Sequence, residues 1–370
     1  MKEYSIVKAE ESLSRYGCDF TVVLGEDRKN TPVKLLQLTY MQIIDSSQRR
    51  TPDRIRADEI EAWESGNFDI MCADHIRALV AESDPDLIFI TGDIVYGSFD
   101  DSGRVFQWFA DFMDSLMIPW APVFGNHDNE SKMGVAWQCE VFEKCKYCLF
   151  SRGEVSGNSN YSVGISVGGE LVRVLHMLDS NGCKNGDDPS LIKEKCILPD
   201  QLRLVEKTTE RVYEINKKRP PAFMAYHIPT DSFRIAERAK GYLTDERRKY
   251  NIGVDTPALD GDFGFIFEDS KYIEMGEEFI DFVRGQGIDG VFVGHLHNTC
   301  TSILYKDVRW VFGLKTGQYD YHVPGQTGGT LITLFGEGFT VMHLPSLVRP
   351  APMPREAKMF RNLFVTGAEK

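Results

Sequence analysis

No apolar run in the sequence is long enough to span a bilayer, and the first residues, MKEYSIVKAEESLSRYG, lack the apolar core of a signal peptide. There is no internal repeat, no low-complexity tract and no obvious linker, so the chain reads as one domain over residues 1–370. An excess of positive charge is also missing. Lys and Arg number 42 against 55 Asp and Glu, a net charge of −13. Such a chain repels polyanions at long range, which argues against nucleic acid as a partner. A small phosphorylated substrate stays open, because bound metal ions reverse the field locally. Cysteine is sparse: eight thiols lie scattered, and the pair Cys145 and Cys148 has no second CxxC to complete a zinc site. Free thiols, a cytoplasmic location and no membrane partner are the expectations.

What is present is an ordinary globular composition, 42% hydrophobic and 26% charged. Short, continuously apolar runs predict strands over 20–25, 33–39, 87–91, 120–124, 172–178, 222–226 and 290–293, as expected where both sheet faces are covered. The polar stretch EDRKNT between the first two suggests a hairpin. Helical spacing of apolar residues predicts helices over Ser102–Met117 and Asp200–Asn216, and a third that includes Ile273, Phe279, Phe282 and Val283. After Thr301 the pattern turns to β, through 302–304, 308–312 and 330–335. The alternation gives an α/β fold with buried sheets.

Chemistry-bearing residues sit just beyond the strands. LIFIT runs into Gly92-Asp93, WAPVF into Gly125-Asn126-His127-Asp128, AFMAY into His227, and GVFV into Gly294-His295-Leu296-His297. Ligands of open α/β sheets bind beyond the carboxyl ends of strands. A carboxylate can bridge two cations, imidazole suits Zn, Fe and Mn, and the Asn126 amide oxygen is a neutral ligand. One Gly-Asp or one histidine means little. The ordered set, each member at a strand end, is a much stronger signal, and it fits a divalent metal pair.

These motifs resemble those of the calcineurin-like metallophosphoesterases, within them the purple-acid-phosphatase-like branch. The resemblance rests on TGDIVYG (91–97), PVFGNHD (122–128), GNSNYSVGI (157–165), LHMLDS (175–180), YHIP (226–229), VFVGHLHN (291–298) and GLKTGQYDY (313–321), and it covers about 31–345. It implies a four-layer α/β/β/α sandwich of two mixed β-sheets flanked by helices. It also implies a dinuclear centre of divalent or mixed-valence Fe, Mn or Zn. By position, Asp93 would bridge the metals, Asn126, His227 and His295 would complete one shell, and His297 would serve the other. His127 would be the catalytic imidazole, with Asp128 orienting it.

The first family motif, Asp-x-His after the first core strand, is altered to Tyr40-Met41-Gln42. Gln42 can offer an amide oxygen. A neutral phenol, with an ordinary pKa of about 10, is a poor ligand unless a strongly acidic cation deprotonates it. Tyr96 adds an Asp-x-x-Tyr spacing from Asp93, like that of the iron-binding tyrosine of purple acid phosphatases. Two readings follow: Tyr40 or Tyr96 supplies phenolate to iron, or the first metal position is weak. The second is preferred, because Asp93, His297 and Gln42 are short of anionic donors; Asp45 bending back is a further, lesser source. Tyr96 reads equally as a wall residue.

The expected reaction is hydrolysis of a phosphate mono- or diester by metal-activated water, with His127 protonating the leaving oxygen. The alternative is a family member that keeps the fold and one metal but only binds. Segment 230–270, rich in Arg and Lys directly after His227, reads either as a lid over the site or as solvated helical surface. Lys315 and His322 are expected to line the pocket.

Overall fold

The computed structural model describes residues 4–45, 68–183, 188–268, 272–318, 321–323 and 325–346. Their strands are β1 (Tyr4–Lys8), β2 (Phe20–Leu24), β3 (Val33–Leu38), β4 (Leu87–Thr91), β5 (Trp120–Val123), β6 (Tyr161–Val167), β7 (Glu170–Met177), β8 (Ala222–Ala225), β9 (Tyr250–Ile252), β10 (Phe263–Ile266), β11 (Ile288–Val293), β12 (Thr299–Tyr305), β13 (Val308–Phe312), β14 (Gly328–Phe335) and β15 (Gly338–Pro345). Among the described residues they form a ten-stranded sheet, ordered β1-β2-β6-β7-β8-β11-β13-β12-β10-β9, and a five-stranded sheet, ordered β15-β14-β3-β4-β5. Both are mixed. The pairs β3–β4–β5 and β7–β8–β11–β13 are parallel, and the outer pairs are largely antiparallel.

The pleat explains the layering. Along β8, Phe223 and Ala225 join the core between the sheets, while Ala222 and Met224 join a second core on the other face. Along β11, Phe292 points inward and Val291 and Val293 outward. A strand that buries both faces must read as continuously apolar. Between the sheets, the Phe89 and Phe292 rings meet edge-on at 5.5 Å. Helices Pro199–Asn216, Asp231–Ala239 and Glu277–Gly285 cover the outer face of the ten-stranded sheet, through Val205, Val212, Phe233, Ala236, Phe279 and Val283. Helices Phe68–Ser83 and Arg104–Ser115 cover the five-stranded one. The result is the expected four-layer α/β/β/α sandwich.

The hairpin expected between 20–25 and 33–39 does not form. β2 lies between β1 and β6, and β3 lies between β14 and β4 in the other sheet. Each strand is interior to its sheet and needs two neighbours, so the polar stretch between them carries the chain from one sheet to the other. Arg28, in a single 3-10 turn over Glu26–Arg28, anchors that crossing by a bidentate pair with Asp86 at 2.8 and 3.1 Å. The third helix begins at Glu277, later than expected, because Ile273 is held in a β-bridge to Thr230. The eight cysteines are scattered through the fold, and all but Cys196 are buried. Among the described residues no helix is long and apolar enough to cross a membrane.

The segment after His227 is built into the sheet. Helix Asp231–Ala239 wedges Phe233 between Trp310 and Phe312, with ring centroids 5.2 and 4.7 Å away. β9 and β10 then extend the edge beyond β12. Residues 269 and 270 of the expected 230–270 segment lie outside the described residues.

Candidate metal and phosphate site

The carboxyl ends of β3, β4, β5, β8 and β11 meet at one edge of the sandwich, so side chains from both sheets face one another. Two glycines let the turns after β4 and β5 touch. Gly92 has φ +81°, and a Cβ there would stand 2.7 Å from the Gly125 backbone. A Cβ on Gly125 would stand 2.2 Å from Asp93 Oδ1. A side chain at either would prise the turns apart. Asp93, His295, Tyr40 and Gln42 themselves adopt left-handed backbone, with φ of 54°, 73°, 54° and 42°. Such conformations are uncommon outside glycine and gather where function over-determines the backbone.

One half of the site is a compact quartet. Asn126 turns its carbonyl oxygen toward His227 Nε2 at 3.1 Å and His295 Nδ1 at 3.0 Å. His227 Nε2 also lies 3.2 Å from Asp93 Oδ2. The other nitrogen, His227 Nδ1, donates to the Thr91 carbonyl at 2.7 Å. That bond fixes a proton on Nδ1, so in the neutral ring Nε2 is a lone pair. The lone pair then faces a carbonyl oxygen and a carboxylate. Acceptors at this spacing repel unless a proton or a cation lies among them. Without a metal the proton serves: burial acts most strongly, to lower the His227 pKa, but the charge and hydrogen bond of Asp93, the Thr91 carbonyl and the Asp128 charge together raise it. Burial likewise would raise Asp93, yet the His227 and His127 rings hold its carboxyl at about 2. Burial brings His295 down to about 4, leaving a neutral ring. The donor set suits one divalent transition metal. Among the described residues no three His, Cys, Asp or Glu side chains alone form a metal cage, and the neutral Asn126 amide is what draws this set together.

Asp128 does not orient His127. Its buried carboxylate accepts four backbone N–H groups, those of Asp93 (2.9 Å), Ile94 (2.8 Å), Val95 (3.0 Å) and Gly125 (2.7 Å). It thereby staples the turn after β5 to the turn after β4. The carboxylate within reach of His127 is Glu130, whose Oε2 lies 3.0 Å from Nδ1. Residues 128–130 form one 3-10 turn, which returns the third residue past His127 to the same side. That spacing is visible in the sequence, but it carries no signal until the turn is known. Tyr96 lies flat on the His127 ring, centroids 4.6 Å apart and planes 19° apart, and packs beside Phe99 and Ile44.

The other half differs. The Tyr40 ring is fully buried, with ring centroids 4.4 Å from His297 and 5.4 Å from His227. Its hydroxyl has no hydrogen-bond partner among the described residues. Lys315, 1% exposed, places its ammonium 3.3 Å from Gln42 Oε1, 3.3 Å from the Tyr40 carbonyl and 5.1 Å from the Tyr40 ring centre. Gln42 Nε2 faces Asp93 Oδ2 at 3.4 Å. His297 donates from Nδ1 to the Tyr321 carbonyl at 3.0 Å and stacks on the Tyr321 ring at 4.2 Å. Burial, then the Lys315 charge, pushes its pKa well down. Asp45 does not bend back; it pairs with Arg104 Nε and Nη2 at 3.0 and 2.8 Å. This half supplies one imidazole and one engaged amide of its own, and shares the Asp93 carboxylate with the other half.

A family model described as calcineurin-like phosphoesterase matches residues 69–299, more than half of the chain. The chain is 25% identical over 283 residues to probable inactive purple acid phosphatase 14 of Arabidopsis thaliana, covering 70% of this chain and 65% of that one. It is 22% identical over 323 residues to probable inactive purple acid phosphatase 29 of the same plant, covering 81% and 75%. The chain thus spans just under two thirds of the first of these relatives. Among solved structures it is similar to purple acid phosphatase PPD1 of yellow lupin, with a TM-score of 0.46, 12% identity, and 88% and 54% of the two chains covered.

Proposed function

The chain belongs to the calcineurin-like phosphoesterase family, and we propose that it hydrolyses small phosphate esters at the strand-end cleft described above. The observation that carries this reading is the Asn126 carbonyl facing His227 and His295 beside Asp93. Asp93, Asn126, His227 and His295 would hold a transition metal such as Mn, Fe or Zn. A cation there would supply positive charge to phosphate oxygens and acidify the attacking water. His127, partly exposed at the mouth of the cleft, would hold the proton delivered to the leaving oxygen. Glu130 would position that ring from Nδ1, leaving Nε2 toward the substrate. Tyr96 would keep the ring from tilting.

Tyr40 supports a second reading. A buried phenol stands where an anionic ligand would serve a metal pair, and the two Arabidopsis relatives carry names that call them probably inactive. On that reading the chain binds a phosphate ester without turning it over. A panel of phosphomonoesters and phosphodiesters, assayed with Mn2+-loaded protein, separates the two. Turnover abolished by His127→Ala and by His227→Ala supports hydrolysis. Binding of inorganic phosphate with no turnover on any ester favours the second reading.

A further inference from the structure

We propose that the ammonium of Lys315 is a built-in substitute for the first cation of the site, so that the chain holds one metal and one tethered positive charge. This rests on the reading of Asp93, Asn126, His227 and His295 as a metal site. It departs from the expected dinuclear centre and gives the altered Tyr40-Met41-Gln42 motif a physical role.

The position carries the inference. Apart from the shared Asp93, Tyr40, Gln42 and His297 are the described residues left to serve a first metal, and Lys315 stands among them. Its ammonium is 3.3 Å from Gln42 Oε1 and lies over the Tyr40 ring at 5.1 Å. An ammonium on an aromatic face is an attractive arrangement that a carboxylate-poor pocket can hold. The Gln42 amide is turned away from a metal: Oε1 faces the ammonium, and the group facing Asp93 is the amide nitrogen, which has no lone pair to give. A divalent cation in the same space would meet the ammonium at contact distance, where like charges repel strongly in a buried site.

The backbone fixes the lysine there. Thr316 N–H donates to the Thr39 carbonyl at 2.8 Å, and Thr39 N–H returns a bond to Thr316 Oγ at 3.1 Å. Gly317 N–H donates to the Tyr40 carbonyl at 2.9 Å, and Gly328 N–H to the Lys315 carbonyl at 2.7 Å. The segment after β13 is thus laced onto the segment after β3, and the lysine enters the site from a rigid base. Lysine is a compact point charge with three donors, suited to the oxygens of a phosphate. It cannot acidify water as a metal does, so the two halves of the site are chemically unequal.

The test counts metal. Full-length protein, stripped with chelator and reloaded with Mn2+, is analysed by mass spectrometry for Mn per chain and by electron paramagnetic resonance, with circular dichroism as the check on folding. Wild type and Tyr40→Asp are expected to bind one Mn2+ with the spectrum of an isolated ion. Only Tyr40→Asp combined with Lys315→Ala, or with Lys315→Gln should the first not fold, is expected to take a second and show a coupled pair. Two Mn2+ in wild type, or in Tyr40→Asp with Lys315 in place, overturns the inference and leaves the quartet reading standing. A folded double variant that still binds one also overturns it. No Mn2+ in folded wild type overturns the quartet reading itself, and the inference falls with it.

Discussion

The carboxylate of Glu130, three residues past His127, lies 3.0 Å from His127 Nδ1, while the adjacent Asp128 carboxylate is given wholly to backbone amides. Two neighbouring acids therefore have separate duties. Glu130→Gln is expected to lower kcat by about 10–100-fold with KM nearly unchanged, the pattern of a lost positioning contact. Steady-state kinetics on the best ester of the panel checks it. An equal rise in KM with kcat preserved would show that Glu130 acts on binding instead.

Asp128→Ala is expected to act on stability. It strands four buried N–H groups at the junction of two turns. A loss of more than about 3 kcal/mol in urea unfolding is expected. Asp128→Asn, which keeps one oxygen, should fall between.

Tyr40→Phe separates the two readings of the altered motif. The hydroxyl is buried and unbonded among the described residues, so its removal should be neutral or stabilising by up to about 1 kcal/mol. Bound metal should be unchanged. Loss of metal, or of a visible absorption band from iron-loaded protein, would identify a phenolate ligand.

His227→Ala should weaken Mn2+ binding by more than about 100-fold in calorimetry, since it removes a ligand and not merely a supporting contact. Asn126→Ala should follow it in direction. Unchanged affinity in both would place any bound metal elsewhere.

Burial holds the His176 pKa at about 4, against an ordinary value near 6.5. Between those values the unfolded chain binds a proton that the native ring does not, so stability present above pH 6.5 is lost as the pH falls toward 4. The full effect is about 3 kcal/mol. His176→Leu is expected to flatten that part of the pH dependence of the urea midpoint. An unchanged slope would assign the acid sensitivity to other groups.

The sequence makes the inner strands legible because a strand buried on both faces must be apolar nearly throughout, as in residues 87–90. The residues beyond those strands are legible for the same reason. EDRKNT misleads because a polar stretch looks alike whether it turns a hairpin or crosses between sheets. Helix Phe68–Ser83 gives little periodic signal: Met71, Cys72, Ala73, Ile76 and Leu79 are all buried and wrap more than one face. Lys315 is visible as a residue near the pocket, but its duty is not. Its partners Tyr40 and Gln42 lie 275 and 273 residues away, and only the fold sets the three together.

Asp93 and Asn126 extend from the five-stranded sheet, and His227 and His295 extend from the ten-stranded one. Away from this edge the sheets meet through apolar contacts such as Phe89 on Phe292, with isolated bonds such as Tyr161 Oη to the Pro122 carbonyl. An ion gripped by the quartet would therefore be a rivet through two plates, locking their relative shear. At 100 times its dissociation constant such an ion adds about 2.7 kcal/mol to the native state. Chelation would loosen the seam along its length, so amides facing it, far from any ligand, should exchange with solvent faster once the rivet is drawn.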